Sequence, residues 1–212
     1  MSTTRSIADI LHLSPVIPVV RIDDATAAPD LARALVRGGV RVVEITLRTA
    51  QALAAIEAIA RAVPEICVGA GTVLSVEDLR LSADAGAAFA VSPGATPDLL
   101  AAGANCRIPH LPAVATASEL MAGLAAGFRY FKLFPANVVG GVAALRAFHG
   151  PFPEARFCPT GGVSLQTAGS YLALPNVLCV GGSWITPPEL LRRGDWAEIE
   201  TLARQAAALR LR

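Results

Sequence analysis

The chain is poor in the features that usually tie a protein to nucleic acid, metal or membrane. Aromatic side chains are 5% of its 212 residues, the formal net charge is +1, and no run of basic residues occurs. That balance argues against nucleic acid as the main partner. No apolar stretch spans a bilayer, because Gly, Pro or a charge interrupts each one first. The N-terminal stretch MSTTRSIADILHL carries Asp9 inside its apolar part and lacks the apolar core of a secretion signal. These absences read together as a soluble, cytoplasmic protein. Four cysteines, Cys67, Cys106, Cys158 and Cys179, match no zinc spacing and no redox pair. Each falls in an apolar, strand-like run and reads as a buried, reduced thiol, so no metal site is expected. No Pro/Gly/Ser-rich linker and no shift in composition divides the chain, which reads as one domain, 1–212. Scarcest of all is lysine. Of 18 Lys and Arg side chains, Lys132 is the only lysine.

What is abundant is apolar surface. Hydrophobic residues are 53% of the chain, enough for a sizeable core. Eight apolar, β-rich runs recur at even spacing: 16–22, 41–48, 66–73, 89–94, 107–112, 130–136, 155–162 and 177–184. Runs with no polar face suit parallel strands covered on both sides. Helical segments lie between them, at 25–39, 51–63, 75–86, 96–104, 116–127 and 164–174, and a last one covers 195–211. Their start signals are specific. Ser75 with Asp78 and Thr116 with Glu119 have capping-box spacing, Thr96 precedes Pro97, and Ser164 opens its segment. Strand and helix alternate in eight units of roughly 25 residues, after one extra N-terminal helix. The expected fold is α/β, a (β/α)₈ TIM barrel with that extra helix.

In such a barrel, chemistry sits at the C-terminal ends of the strands. Lys132 lies inside the run YFKLFPA. A chain that uses arginine for every other basic side chain keeps lysine where the amine itself is needed. A desolvated amine can lose its proton and attack a carbonyl; a guanidinium cannot. Glu44 lies in VVEITLR, and strand alternation puts Glu44, Thr46 and Arg48 on one face. A carboxylate there can shuttle protons, and Arg48 at the strand end can fork onto a carboxylate or phosphate. Glycine-rich turns close three runs: GAGT (69–72), PTGGVS (159–164) and VGGSW (180–184). The two that follow strands seven and eight stand where barrels of this type cradle phosphate. His12 and His149 read as helix-end residues, whereas His110, between two prolines, could face inward.

Taken as a set, GGVRVVEITLRT, VGAGTVLS, FAVSPG, FKLFPA, RFCPTGGVS and LCVGGSW resemble the bacterial 2-dehydro-3-deoxy-phosphogluconate (KDPG) aldolases, from about Val16 to Trp184. The resemblance implies a metal-free class I aldolase without a cofactor, commonly a homotrimer. Its substrate would be 2-dehydro-3-deoxy-6-phosphogluconate, cleaved to pyruvate and glyceraldehyde 3-phosphate. The galactonate epimer and 4-hydroxy-2-oxoglutarate are the alternative substrates. By motif, the resemblance implies Lys132 as the Schiff-base residue and Glu44 as the proton shuttle. It implies Arg48 and Thr72 at the pyruvyl carboxylate, and Thr160 at the new carbinol. Gly161, Gly162 and Ser183 would form the phosphate cradle, Pro93 and Phe134 would line the pocket, and Arg21 would add charge at the phosphate. Two segments depart from the family pattern, PAVAT (112–116) and NVVGG (137–141), and both bear on the aldehyde end of the substrate. A non-covalent phosphosugar isomerase on the same barrel is the competing reading, since fold does not fix function.

Overall fold

The computed structural model describes residues 5–209. The first four positions of the N-terminal stretch, and Arg210 and Leu211 at the end of the last expected helix, lie outside the described residues.

Chain order begins with α1 (Ile7–Leu11), β1 (Val16–Val20), α2 (Ala28–Arg37), β2 (Val42–Thr46), α3 (Ala52–Ala62) and β3 (Cys67–Gly71). It continues through α4 (Val76–Asp84), β4 (Ala90–Val91), α5 (Pro97–Ala104), β5 (His110–Leu111), β6 (Ala113–Val114) and α6 (Ala117–Ala125). It ends with β7 (Tyr130–Leu133), α7 (Gly141–His149), β8 (Arg156–Pro159), α8 (Leu165–Leu172), β9 (Val180–Gly182), α9 (Pro188–Arg193) and α10 (Trp196–Ala207). The strands form an α/β fold with two parallel sheets, ordered β5-β4-β3-β2-β1-β9 and β6-β7-β8.

Three details relate the two sheets. Single parallel bridges, Phe157 to Val177 and Thr160 to Gly181, run from β8 towards β9. On the other side, β5 and β6 are one stretch of chain divided at Pro112, whose missing N–H breaks the ladder. That stretch serves both sheets. Pro109 O and Leu111 O accept from Ala90 and Ser92 at 2.9 and 3.2 Å, while Pro112 O accepts from Lys132 N at 2.9 Å.

Alternation along the strands feeds two separate cores. One lies between sheet and helices and takes Val43 and Ile45 of β2, Phe131 and Leu133 of β7, and Phe157 of β8. The other takes the opposite faces: Ile17, Val42, Cys67, Val91, Leu111 and Cys158, joined by Phe89 and Cys179. Ile10 and Leu11 of α1 pack into this second core, which gives the extra helix its place. Each fully buried Leu, Ile or Phe contributes about 1.5–3 kcal/mol relative to exposure.

The helix starts follow their sequence signals. Ser75 with Asp78 and Thr116 with Glu119 form reciprocal capping boxes, Ser164 pairs with Thr167, and Thr96 caps α5 ahead of Pro97. Such caps stabilise by about 1 kcal/mol each. Two helices have no counterpart in the sequence reading. α7 opens on Gly140 and Gly141, at φ 100° and 52°, without a side-chain cap. α9 is only 6 residues long. No described helix is long and apolar enough to cross a membrane. Among the cysteines, Cys67, Cys158 and Cys179 are buried as expected, and burial pushes the Cys67 and Cys179 thiols up. Cys106 differs: it is only half-buried, in the turn after α5 rather than in a strand.

Candidate active site

Glu44 stands mid-strand in β2, opposite Val19 on one side and Gly69 on the other. Its neighbours Val43 and Ile45 point to the helix-side core, so its own side chain shares the inner face with Val42. Lys132 repeats the pattern in β7. Phe131 and Leu133 point outward to the helices, and its register partner Cys158 belongs to the inner core. Folding thus brings together two charged groups 88 residues apart in sequence. Lys132 Nζ donates to Glu44 Oε1 at 3.2 Å and Oε2 at 3.4 Å, with the two side chains 6% and 5% exposed. Burial of either charge alone would be costly; each supplies the other's counter-ion. The ammonium also sits 5.3 Å from the centre of the Phe134 ring, within cation–π range.

Two glycines make room for this arrangement. A Cβ on Gly71 would land on the Glu44 carboxylate, and a Cβ on Gly181 would land on the Thr160 side chain. The GAGT turn therefore serves packing as well as backbone approach. Its last residue is unusual: Thr72 holds φ 59°, the one positive-φ non-glycine among the described residues. Backbone in that region is strained for a threonine. Thr72 Oγ1 lies 3.1 Å from Arg48 Nε, which donates to it. Arg48 makes no ion pair among the described residues.

Above this layer opens a cleft of about 330 Å³. Arg21, Arg48, Phe134, Thr160, Gly161, Gly162 and Ser183, all expected from sequence, line it. Lys132 and Glu44 lie beneath, two residues before Phe134 and Thr46 on the same strand faces. Thr72 reaches the cleft through Arg48. Pro93 is half-buried just past β4 and is not in the cleft wall. Arg21 is exposed and pairs with Asp23 at 3.1 Å. Gly161 and Gly162, at φ 99° and 74°, adopt backbone that favours glycine. No acidic side chain lines the cleft, so two arginines, three threonine and serine hydroxyls beside Thr46, and the glycine backbone suit it to an anionic ligand.

The wall also holds residues that sequence did not single out for the site. Thr46 donates from Oγ1 to Val20 O at 2.9 Å, locking β2 to β1. Thr186 and Pro188 enter from the segment after β9, where no motif marks them. His110 takes no part. Rather than facing inward, it packs against Gly103 of α5 and edge-on to Phe128, 5.7 Å between ring centres, with Nε2 2.9 Å from Ser92 Oγ. Burial there lowers its pKa to about 4. Among the described residues no cluster of three His, Cys, Asp or Glu side chains is placed to hold a metal ion.

Comparison with known proteins gives a consistent picture. The family model for KDPG and KHG aldolase matches residues 7–202. A 2-dehydro-3-deoxy-phosphogluconate aldolase of Dickeya dadantii is 52% identical over 203 residues, covering 96% of this chain and 95% of that protein. Among solved structures, the chain resembles a KDPG aldolase of Legionella pneumophila with pyruvate captured at low pH as a covalent carbinolamine intermediate. The TM-score is 0.93 at 45% identity, over 95% of this chain and 98% of the other. It also resembles the 2-keto-3-deoxy-6-phosphogluconate aldolase of Zymomonas mobilis with 3-phosphoglycerate, with a TM-score of 0.92 at 44% identity and 98% coverage of both chains.

Proposed function

The chain belongs to the KDPG and KHG aldolase family, and from that premise we propose that it cleaves 2-dehydro-3-deoxy-6-phosphogluconate to pyruvate and glyceraldehyde 3-phosphate, with Lys132 as the covalent residue. It is a class I aldolase, and its electron sink is a lysine imine. The observation that carries the residue assignment is the buried contact of Lys132 Nζ with Glu44 Oε1, 3.2 Å, beneath an anion-suited cleft.

Proton transfer across that contact leaves the pair neutral overall before and after. The amine can therefore shed its proton without separating charge in the dry interior. Its lone pair adds to the C2 carbonyl carbon, giving a carbinolamine. Glu44 protonates the C2 hydroxyl, water leaves, and a cationic iminium remains. Glu44, now a carboxylate, takes the C4 hydroxyl proton. The C4–O electrons form the aldehyde carbonyl, the C3–C4 bond breaks, and its electron pair moves into the iminium to give the pyruvate enamine. The aldehyde departs, Glu44 returns the proton to C3, and water hydrolyses the iminium to pyruvate and free amine. Arg48 and Thr72 hold the carboxylate end, and Thr160 lies at the forming aldehyde. Arg21, Gly161, Gly162 and Ser183 take the phosphate, whose binding orients the bond to be broken.

The same reading closes the two sheets into a single (β/α)₈ barrel domain. The bridges from β8 towards β9 and the double service of the 109–114 stretch support it. It also makes the enzyme a cytoplasmic homotrimer. Exposed Leu74, Val76, Met121 and Val138 are apolar surface that assembly can cover, and light scattering of the purified protein measures the mass.

The deciding experiment is borohydride reduction with pyruvate, followed by peptide mapping. A reduced pyruvyl adduct on the Lys132 peptide is expected; an unmodified Lys132 peptide overturns the assignment. Steady-state assays with the galactonate epimer and with 4-hydroxy-2-oxoglutarate then rank the substrates.

A further inference from the structure

Five buried side-chain polar atoms lack a hydrogen-bond partner among the described residues: Ser14 Oγ, His110 Nδ1, Asn176 Oδ1, Trp184 Nε1 and Thr186 Oγ1. Of these residues, only Thr186 lines the candidate cleft. It is 4% exposed. A buried hydroxyl without a partner destabilises the fold, and valine would fill the same space without that cost. A threonine at this position therefore calls for a function.

Its surroundings indicate which. Thr186 lies between β9 and α9, and its N–H donates to Ser183 O at 3.2 Å. That turn brings two hydroxyl residues, three apart, to the wall shared with Arg21, Gly161 and Gly162. The left-handed backbone of the two glycines and the nearby guanidinium suit a compact tetrahedral anion. No carboxylate in the wall opposes one.

We propose that Thr186 is a further specificity-determining residue, whose hydroxyl donates to the terminal phosphate of the substrate beside Ser183. The inference rests on the aldolase reading and deepens it. Selection for the phosphate monoester then depends on a side chain whose unliganded state is less stable than it could be.

The test uses the full-length enzyme in the condensing direction, with pyruvate and either glyceraldehyde 3-phosphate or unphosphorylated glyceraldehyde. Thr186→Val keeps the shape and removes the hydroxyl; Thr186→Ser restores it. For Thr186→Val, the KM for the phosphorylated aldehyde should rise about 10-fold or more, the scale of one hydrogen bond to a charged group. Its kinetics with unphosphorylated glyceraldehyde, which offers no phosphate to the hydroxyl, should stay within about twofold of wild type. The ligand-free melting temperature should be equal or higher, and Thr186→Ser should recover the phosphate preference. An unchanged preference in Thr186→Val overturns the proposal. So does a lower melting temperature with both aldehydes equally impaired, which marks a structural hydroxyl. If Thr186→Val does not fold, Thr186→Ala carries the same comparison. Pyruvate trapping on Lys132 separates the two ideas. Absent trapping in the wild type sinks the aldolase reading, whereas intact trapping with unchanged phosphate preference sinks only the role of Thr186.

Discussion

Arg48 Nε donates to Thr72 Oγ1 at 3.1 Å, and the threonine that receives it sits in left-handed backbone at φ 59°. A β-branched residue held there costs about 1–3 kcal/mol, which surrounding structure must offset. If the strain serves to aim the hydroxyl, Thr72→Gly should separate stability from function. The variant should stay within about 1 kcal/mol of wild type in denaturant titration, since relief of strain offsets the added chain entropy. Its kcat/KM should fall at least about tenfold, the scale of one hydrogen bond to a charged group.

Lys132→Arg keeps the charge beside Glu44 and removes the only nucleophilic amine at the site. Turnover should fall to background, and pyruvate should no longer be trapped by borohydride. Glu44→Gln should lower kcat by about 10²–10⁴-fold, the usual contribution of general acid–base catalysis. Activity of Lys132→Arg near the wild-type level would contradict covalent catalysis.

Gly71→Ala places a methyl group where the Glu44 carboxylate now lies. The carboxylate must move, and a displacement of about 1 Å at the reacting centre can cost about 10²-fold. The expected result is a kcat decrease of that order, with the circular dichroism of a folded α/β protein. Full activity would show that Glu44 tolerates displacement.

His110 makes acid stability a test of its burial. Its folded-state pKa is lowered to about 4 by desolvation, against about 6.5 in an unfolded chain. As pH falls through 6.5 the unfolded chain takes up a proton that the folded chain refuses, so stability drops until the folded state also protonates near pH 4. Over that window the loss attributable to this one group is up to ~3 kcal/mol. Urea titrations at pH 7 and pH 5 should show the decline, and His110→Leu should flatten it. Equal slopes in the two proteins would mean that the imidazole is solvated.

The sequence was most informative where a signal is local. The capping pairs Ser75–Asp78 and Thr116–Glu119 act within one helical turn, so their spacing alone located the helix starts. α7 begins on left-handed glycines and α9 is shorter than the usual periodicity window, so neither carried such a signal. Motif likeness located most of the cleft wall, but Thr186 belongs to no motif, and its distinguishing feature is a missing partner visible only after folding.

By itself the sequence determined that strands would be covered on both faces and that one amine stood apart from seventeen guanidinium groups' worth of alternatives among 18 basic side chains. Both are properties of composition and of period-two alternation, which need no knowledge of distant neighbours. Only the tertiary structure decided which carboxylate meets that amine, because the partners are 88 residues apart. It also decided that Gly71 exists to clear space for Glu44 and that His110 turns away from the cleft. Contacts of that kind depend on how strands pair and which way each side chain then points, and a linear pattern carries neither.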